Sequence, residues 1–256
     1  MISEKLARKR VLITAGAQGI GEAISRRFIE AGCHVAIHYF SSSQRAEEIA
    51  AEPHAAGQKV IAVGGDLTNP EIATEMVNEV AAQLGGLDIL VNNAGSIVAR
   101  RRLHEIDDAF WTQVFDLNLT SMLSVTRAAA PFLAQSSAGS SIVNLASLAG
   151  RKGGHPGSLA YSTAKGAVLT WTRALANELA PQGTRVNAIA PGLILGTSFH
   201  NTHTSKESAD KTIEGIPLGI AGGPDDVARA VLYFASEYDG FITGATLDIN
   251  GGVYCA

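Results

Sequence analysis

Seven short runs rich in β-branched residues alternate along the chain with longer stretches that carry apolar residues at helical spacing. That alternation restricts the fold more than any other feature. The runs are Val11–Thr14, Val35–Tyr39, Val60–Val63, Ile89–Val91, Ser141–Leu145, Arg185–Ala190 and Thr246–Ile249. Strands that alternate with helices are joined by crossovers, so they pair in parallel and need helices on both faces. Ile20, Ala23, Ile24, Phe28 and Ile29 give the first intervening stretch a clear apolar face. The pattern predicts a single α/β domain over 1–256, a doubly wound, mainly parallel seven-stranded sheet with helices on both faces. No internal repeat, low-complexity tract or linker divides the chain.

A net charge of −4 offers no broad attraction to nucleic acid or anionic membrane, so the expected partner is a small molecule; Arg100-Arg101-Arg102 is a local exception. Cys33 and Cys255 cannot form a disulfide framework or a zinc site by themselves, which suits the reducing cytoplasm. The apolar run Val11-Leu12-Ile13 stops at the Thr14–Gly21 stretch and reads as a first strand rather than a leader, and no apolar segment approaches the length that crosses a bilayer. The longest irregular segment, rich in Gly, Ser and Thr, follows the sixth strand, where open α/β sheets bind ligands, and a substrate lid is expected over 192–223.

Two stretches carry chemistry. Between the first strand and the first helix lies Thr14-Ala15-Gly16-Ala17-Gln18-Gly19-Ile20-Gly21. Small residues let the backbone approach a pyrophosphate, and a helix N-terminus offers it free amides and a partial positive charge. A Rossmann-like dinucleotide site is the reading, with Thr14, Gly16, Gln18, Gly19, Ile20 and Gly21 around the phosphates. Farther on, Tyr161 and Lys165 leave one face of a predicted helix a single turn apart. An ammonium beside a phenol favours the phenolate, so Lys165 is expected to lower the Tyr161 pKa and fit the tyrosine for proton transfer.

In order and across nearly the whole length, these motifs resemble the short-chain dehydrogenase/reductase family. Thr14, Gly19 and Gly21 match its Thr-Gly-x-x-x-Gly-x-Gly turn, with Ala15 where the first glycine is usual; a positive φ there would strain Ala15. Asp66-Leu67 matches the adenine-contacting pair, and Asn92-Asn93-Ala94-Gly95 the signature after the fourth strand, which brings Asn93, Ala94 and Gly95 to the cofactor. Asn144-Leu145-Ala146-Ser147 resembles Asn-x-Ser-Ser and puts Ser147 at the catalytic serine, fourteen residues before Tyr161, one more than the usual spacing. Asn118 resembles the asparagine that holds a proton-relay water, and Pro191-Gly192 the turn whose backbone meets the nicotinamide. Thr197 lies one residue after the usual threonine.

The resemblance implies hydride exchange between a nicotinamide and a carbonyl or secondary alcohol, without a metal. Tyr161 would be the proton donor, Ser147 would orient the oxygen, Lys165 would hold the nicotinamide ribose, and Asn118 would place water beside the lysine. Substrates in view are 3-oxoacyl thioesters, or sugars, polyols and other small carbonyl compounds; a nucleotide-sensing protein without turnover is the reading from another class. Cofactor choice turns on Tyr39, which ends the second strand where a carboxylate would select NAD(H). With no acid there and Ser41, Ser42, Ser43 and Arg45 following, NADP(H) is favoured over NAD(H). The family also implies a homotetramer, with Trp171 and Leu175 offering an apolar face either to another subunit or to the chain's own interior. His155, His200, His203 and Lys206 are further candidates for touching substrate.

Overall fold

The computed structural model describes residues 5–137, 139–197, 206–236 and 240–256. Strand β1 (Arg10–Ile13) leads through helix α1 (Gly19–Glu30) to β2 (His34–Tyr39), then α2 (Ser43–Ala51), β3 (Val60–Gly64), α3 (Pro70–Leu84) and β4 (Ile89–Asn92). A continuous helical stretch follows, α4 (Asp108–Phe115), a π-helical segment (Asp116–Thr120) and α5 (Ser121–Leu133). After β5 (Ser140–Leu145) come the short α6 (Leu148–Lys152), the long α7 (Leu159–Leu179) and β6 (Thr184–Pro191). Helices α8 (Lys206–Glu214) and α9 (Pro224–Ala235) precede β7 (Thr246–Ile249).

The seven strands form one sheet in the order β3-β2-β1-β4-β5-β6-β7, and every pairing is parallel. Alternation of side chains along each strand separates two cores. Val11, Ile13, Val35, Ile37, Val91 and Val143 face α1, α2 and α9, where Ile24, Phe28, Ile49, Val227 and Val231 cover them. Leu12, Ala36, Leu90, Ile142 and Val186 face the opposite layer of Met76, Val77, Val125, Leu133 and Leu179 on α3, α5 and α7. Being covered on both faces is why the central strands β1 and β4 read as near-continuous apolar runs. Leu175 is buried in the second of these cores, and the partly buried Trp171 packs against it. Among the described residues no helix is long and apolar enough to cross a membrane.

The 192–223 segment departs from expectation. Its described part holds helix α8 where composition suggested only irregular chain, and the excursion is closed at its base by a parallel bridge between Ile194 and Gly222. His200 and His203 lie outside the described residues; Lys206 opens α8 and is exposed.

Because the chain winds outward from β1 to β3 and then returns to place β4 beside β1, the C-terminal ends of β1 and β4 diverge into a crevice. The turn after each of these strands therefore faces the same space.

Candidate active site

That crevice is built by side chains that tie its two walls together. Thr14 Oγ1 accepts the amides of Asn93 and Ala94, each at 2.9 Å, and Asn93 Nδ2 donates to the carbonyls of Thr14 and Ala15, each at 3.0 Å. Thr14 is thus a buried weld between the glycine turn and the end of β4. Asn92 points the other way, into the core, where Nδ2 donates to Asn144 Oδ1 at 2.9 Å and to Thr126 Oγ1 at 3.1 Å. Asn144 in turn donates to Thr172 Oγ1 at 3.0 Å. This buried ladder fixes α5 and α7 against the ends of β4 and β5, so the helices that bear the chemistry cannot slide along the sheet.

Ser147 leaves the end of β5 as the N-cap of α6, its Oγ accepting the Ala149 amide at 3.1 Å. Gly150 lets α6 lie directly on α7; a Cβ there would fall 2.6 Å from the Lys165 carbonyl carbon. The contact brings Ser147 to Tyr161 in the first turn of α7, and the two share a hydrogen bond. Four residues on, Lys165 is buried and its Nζ donates to the Leu145 carbonyl at 2.7 Å, 5.8 Å from the Tyr161 ring centroid.

Asn118 comes from the π segment. A π turn shifts the backbone bonding by one residue, and here the side-chain Nδ2 of Asn118 donates to the Val114 carbonyl at 2.9 Å and to the Ser96 carbonyl at 2.8 Å. Both its donors are thereby committed, and its Oδ1 is left buried without a partner. Gly95 stands between it and the lysine: a Cβ there would lie 2.6 Å from Asn118 Oδ1 and 3.0 Å from Lys165 Nζ. All four expected catalytic residues therefore lie around one floor formed by Gly95 and the end of β5.

Electrostatics correct one expectation. Burial pushes the Tyr161 phenol above its ordinary pKa, and the hydrogen bond from Ser147 pulls in the opposite direction without prevailing. The lysine does not set the balance, because it too is desolvated and its pKa is pushed down to about 8. Lys165 is still mainly an ammonium at pH 7, and Tyr161 a neutral phenol, the state of a proton donor.

The glycine turn shows why its residues are small. Gly16 faces Ser25 Oγ at 2.8 Å from where a Cβ would stand, and a Cβ on Gly21 would run into the Ala15 carbonyl. Ala15 has φ +50°, the left-handed conformation its position implied. The amides of Gly19 and Ile20 open α1, where the first helical N–H groups have no partner within the helix. Gln18 is exposed, its Oε1 accepting Ser42 Oγ at 3.4 Å. These features fit a pyrophosphate.

Residues 14–254 match the family model described as enoyl-(acyl carrier protein) reductase. The chain belongs to the short-chain dehydrogenase/reductase family. It is 35% identical over 246 residues to 3-oxoacyl-[acyl-carrier-protein] reductase FabG of Staphylococcus epidermidis, covering 96% of this chain and 99% of the relative. It is 39% identical over 243 residues to acetoacetyl-CoA reductase of Shinella zoogloeoides, covering 95% and 97%. A dehydrogenase/reductase structure from Sinorhizobium meliloti superposes with a TM-score of 0.91 at 32% identity, covering 100% of this chain and 99% of the other. As a member of this family the chain is a nicotinamide-dependent oxidoreductase with the Rossmann-like fold.

At the far end of the cofactor crevice, this short-chain dehydrogenase/reductase differs from the sequence reading. Arg45, expected to be available to a 2′-phosphate, is held bidentately by Glu22 and also meets Glu48 at 3.2 Å. Tyr39 ends β2 and lays its ring over Gly64, where a Cβ would come within 2.8 Å of Tyr39 Cε2. Ser41 is exposed and Ser42 precedes α2 without a side-chain capping bond; Asp66 is half-buried, while Leu67 is buried in the core under α3. The Gly192 amide donates to the Ile249 carbonyl at 2.8 Å, so that turn is fastened to β7.

Two neighbours of the turn were not picked out by motif. Thr197 packs on Gly19, its Cβ 3.4 Å from the position of a Gly19 Cβ, so the threonine one place out of step still meets the glycine turn. His38, hidden in an apolar strand, bonds to Ala15; only its polarity among Val35, Ala36 and Ile37 hinted at it. Of the arginine run, Arg101 pairs with Asp107 at 3.2 Å and lies over the Phe110 ring, while Arg100 and Arg102 are exposed. The Arg101 amide donates to Gly157 at 2.9 Å, joining this run to the loop before α7; His155 in that loop is exposed.

Proposed function

We propose that this protein reduces 3-oxoacyl thioesters with NADPH, with Tyr161 as the proton donor. The observation that carries the reading is the Ser147–Tyr161 hydrogen bond backed by the buried Lys165. A hydroxyl pair aimed at one point serves an oxygen on which charge develops, as in carbonyl reduction. Reduction of an isolated carbon–carbon double bond places no such oxygen at the reacting atom. The thioester class is supported by the names of relatives that match this chain nearly end to end, a 3-oxoacyl-[acyl-carrier-protein] reductase and an acetoacetyl-CoA reductase.

When bound, the nicotinamide supplies the hydride. Tyr161 delivers its proton to the substrate oxygen, and its raised pKa keeps that proton in place until charge develops. Ser147 orients the same oxygen. Lys165, anchored on the Leu145 carbonyl, stabilises the tyrosinate that remains, and the free Asn118 oxygen holds the water that returns a proton to the lysine side. Ser41, Ser42 and the turn amides bind the dinucleotide, and NADP(H) is preferred because Tyr39 brings no carboxylate to the ribose. Arg45 joins by exchanging its exposed pairing with Glu22, which is worth little in water, for a phosphate. The segment 192–223 serves as the substrate lid. A cytoplasmic homotetramer completes the reading; the free thiols Cys33 and Cys255 suit that compartment.

The test is loss of reduced-nicotinamide absorbance with NADPH or NADH against acetoacetyl-CoA, sugars, polyols and simple ketones. Turnover of acetoacetyl-CoA with NADPH, abolished in Tyr161→Phe with cofactor binding retained, is the expected result. Turnover confined to sugars or polyols overturns the substrate assignment, and substantial activity in Tyr161→Phe overturns the mechanism. Tyr39→Asp is expected to weaken NADPH more than NADH; an unchanged ratio refutes the ribose site.

A further inference from the structure

His38 is buried at the C-terminal end of β2, and each of its hydrogen-bonding groups is used between the glycine turn and the end of β3. Its Nδ1 accepts the Ala15 amide at 3.0 Å, so that nitrogen carries no proton. Its Nε2 then bears the hydrogen and donates to the Gly65 carbonyl at 3.0 Å. Its own carbonyl accepts the Gly16 amide at 2.8 Å. The two amides captured are those flanking the left-handed Ala15, the one residue of the turn that resists its conformation. Opposite them, Asn93 takes the carbonyls of Thr14 and Ala15. The turn is thus gripped on its amide side by His38 and on its carbonyl side by Asn93.

We propose that His38 is a positioning residue for the dinucleotide turn, a neutral imidazole strut that holds Ala15 in the left-handed conformation and so aims the Gly19 and Ile20 amides at the pyrophosphate. The inference rests on the assignment of this crevice to a nicotinamide dinucleotide. With the Ala15 and Gly16 amides already bonded to His38, those at the start of α1 are among the donors left for phosphate. The strut also ties the turn to Gly65, the residue before Asp66, so the two ends of the dinucleotide site share one brace.

The test compares NADPH and NADH dissociation constants and steady-state constants for wild type, His38→Leu and His38→Asn. Leucine leaves the buried Ala15 amide without an acceptor, and the cofactor dissociation constant is expected to rise about tenfold or more, with kcat at saturating cofactor nearly unchanged. Asparagine places a carbonyl oxygen near the position of Nδ1 and is expected to restore affinity to within about threefold of wild type. Wild-type affinity in His38→Leu, or a loss in His38→Asn as large as in His38→Leu, overturns the proposal. Should His38→Leu fail to fold, nitrogen-15 shifts of histidine-labelled wild type decide: a neutral ring with bare Nδ1 is expected at pH 7, and a protonated Nδ1 overturns it. Failure of wild type to bind either cofactor overturns the crevice assignment itself and the proposal with it.

Discussion

Replacing Lys165 by methionine is expected to make the protein more stable while it destroys turnover. In the folded chain the ammonium has little access to water, and its pKa falls from 10.5 to about 8 through burial. A difference of that size corresponds to about 3 kcal/mol against folding wherever both states are protonated, that is below pH 8. Methionine has a similar length and carries no charge to desolvate, but it abandons the Leu145 carbonyl, a loss of about 1 kcal/mol. The net gain at pH 7 is about 2 kcal/mol. Between pH 8 and 10.5 the unfolded wild-type chain retains a proton that the folded chain has released, so wild-type stability rises relative to the variant and the advantage of methionine shrinks. Urea unfolding of both proteins at matched concentration, at pH 7 and pH 10, measures the difference free of groups they share. A variant less stable than wild type at pH 7, or an advantage independent of pH, would refute the account of Lys165 as a desolvated charge retained for chemistry.

Ala15→Gly should stabilise the chain, because a left-handed alanine costs about 1–2 kcal/mol and the extra freedom of glycine in the unfolded chain offsets about 0.4–1 kcal/mol of that. A rise in Tm with kcat unaltered is the expected outcome, and a fall counts against the strain. Gly95→Ala should fold normally but lose about tenfold or more in kcat, since the new methyl displaces Asn118 Oδ1 and Lys165 Nζ, and displacements of that order are costly at reacting groups. Circular dichroism with steady-state kinetics checks it; an unchanged kcat would mean that turnover does not depend on where Asn118 Oδ1 and Lys165 Nζ are held.

Most of the architecture was legible because it rests on local patterns. Every expected strand lies within one residue of an observed one, since the strands are apolar on both faces and bounded by polar turns. The gathering of Asn118, Ser147, Tyr161 and Lys165 followed from motif order, and the structure supplies the reason in the Asn92–Asn144–Thr172 ladder. Helix α8 was hidden by the Ser and Thr around it, which favour loops, although its own Lys206, Glu207, Ala209, Lys211 and Glu214 favour helix. The pairing of Arg45 with Glu22 joins residues on different helices, and no spacing along the chain signals it. The Tyr161 pKa was misjudged for a related reason. Sequence shows that a lysine is one turn away, but the depth to which both groups are desolvated is a property of the packed sheet and helices.

The π segment at Asp116–Thr120 has a consequence for how the chain can change length. A π turn contains one residue more than the α turn it replaces, and each α-helical residue advances the side-chain direction by about 100°. Val114 and Val125 would share one face of an unbroken α-helix, but the surplus residue turns the two stripes apart: Phe110 and Val114 pack with Ala160 and Ala164 of α7, while Val125, Ala129 and Leu133 pack in the core with Met76 and Val77 of α3. Deleting one residue there would let the rod relax to regular α-helix with both stripes left in place, while Asn118 lost its hold on Val114 and Ser96. The length of this stretch is therefore set by the catalytic floor rather than by the core, and a single deletion there would spare the packing while costing the placement of Asn118.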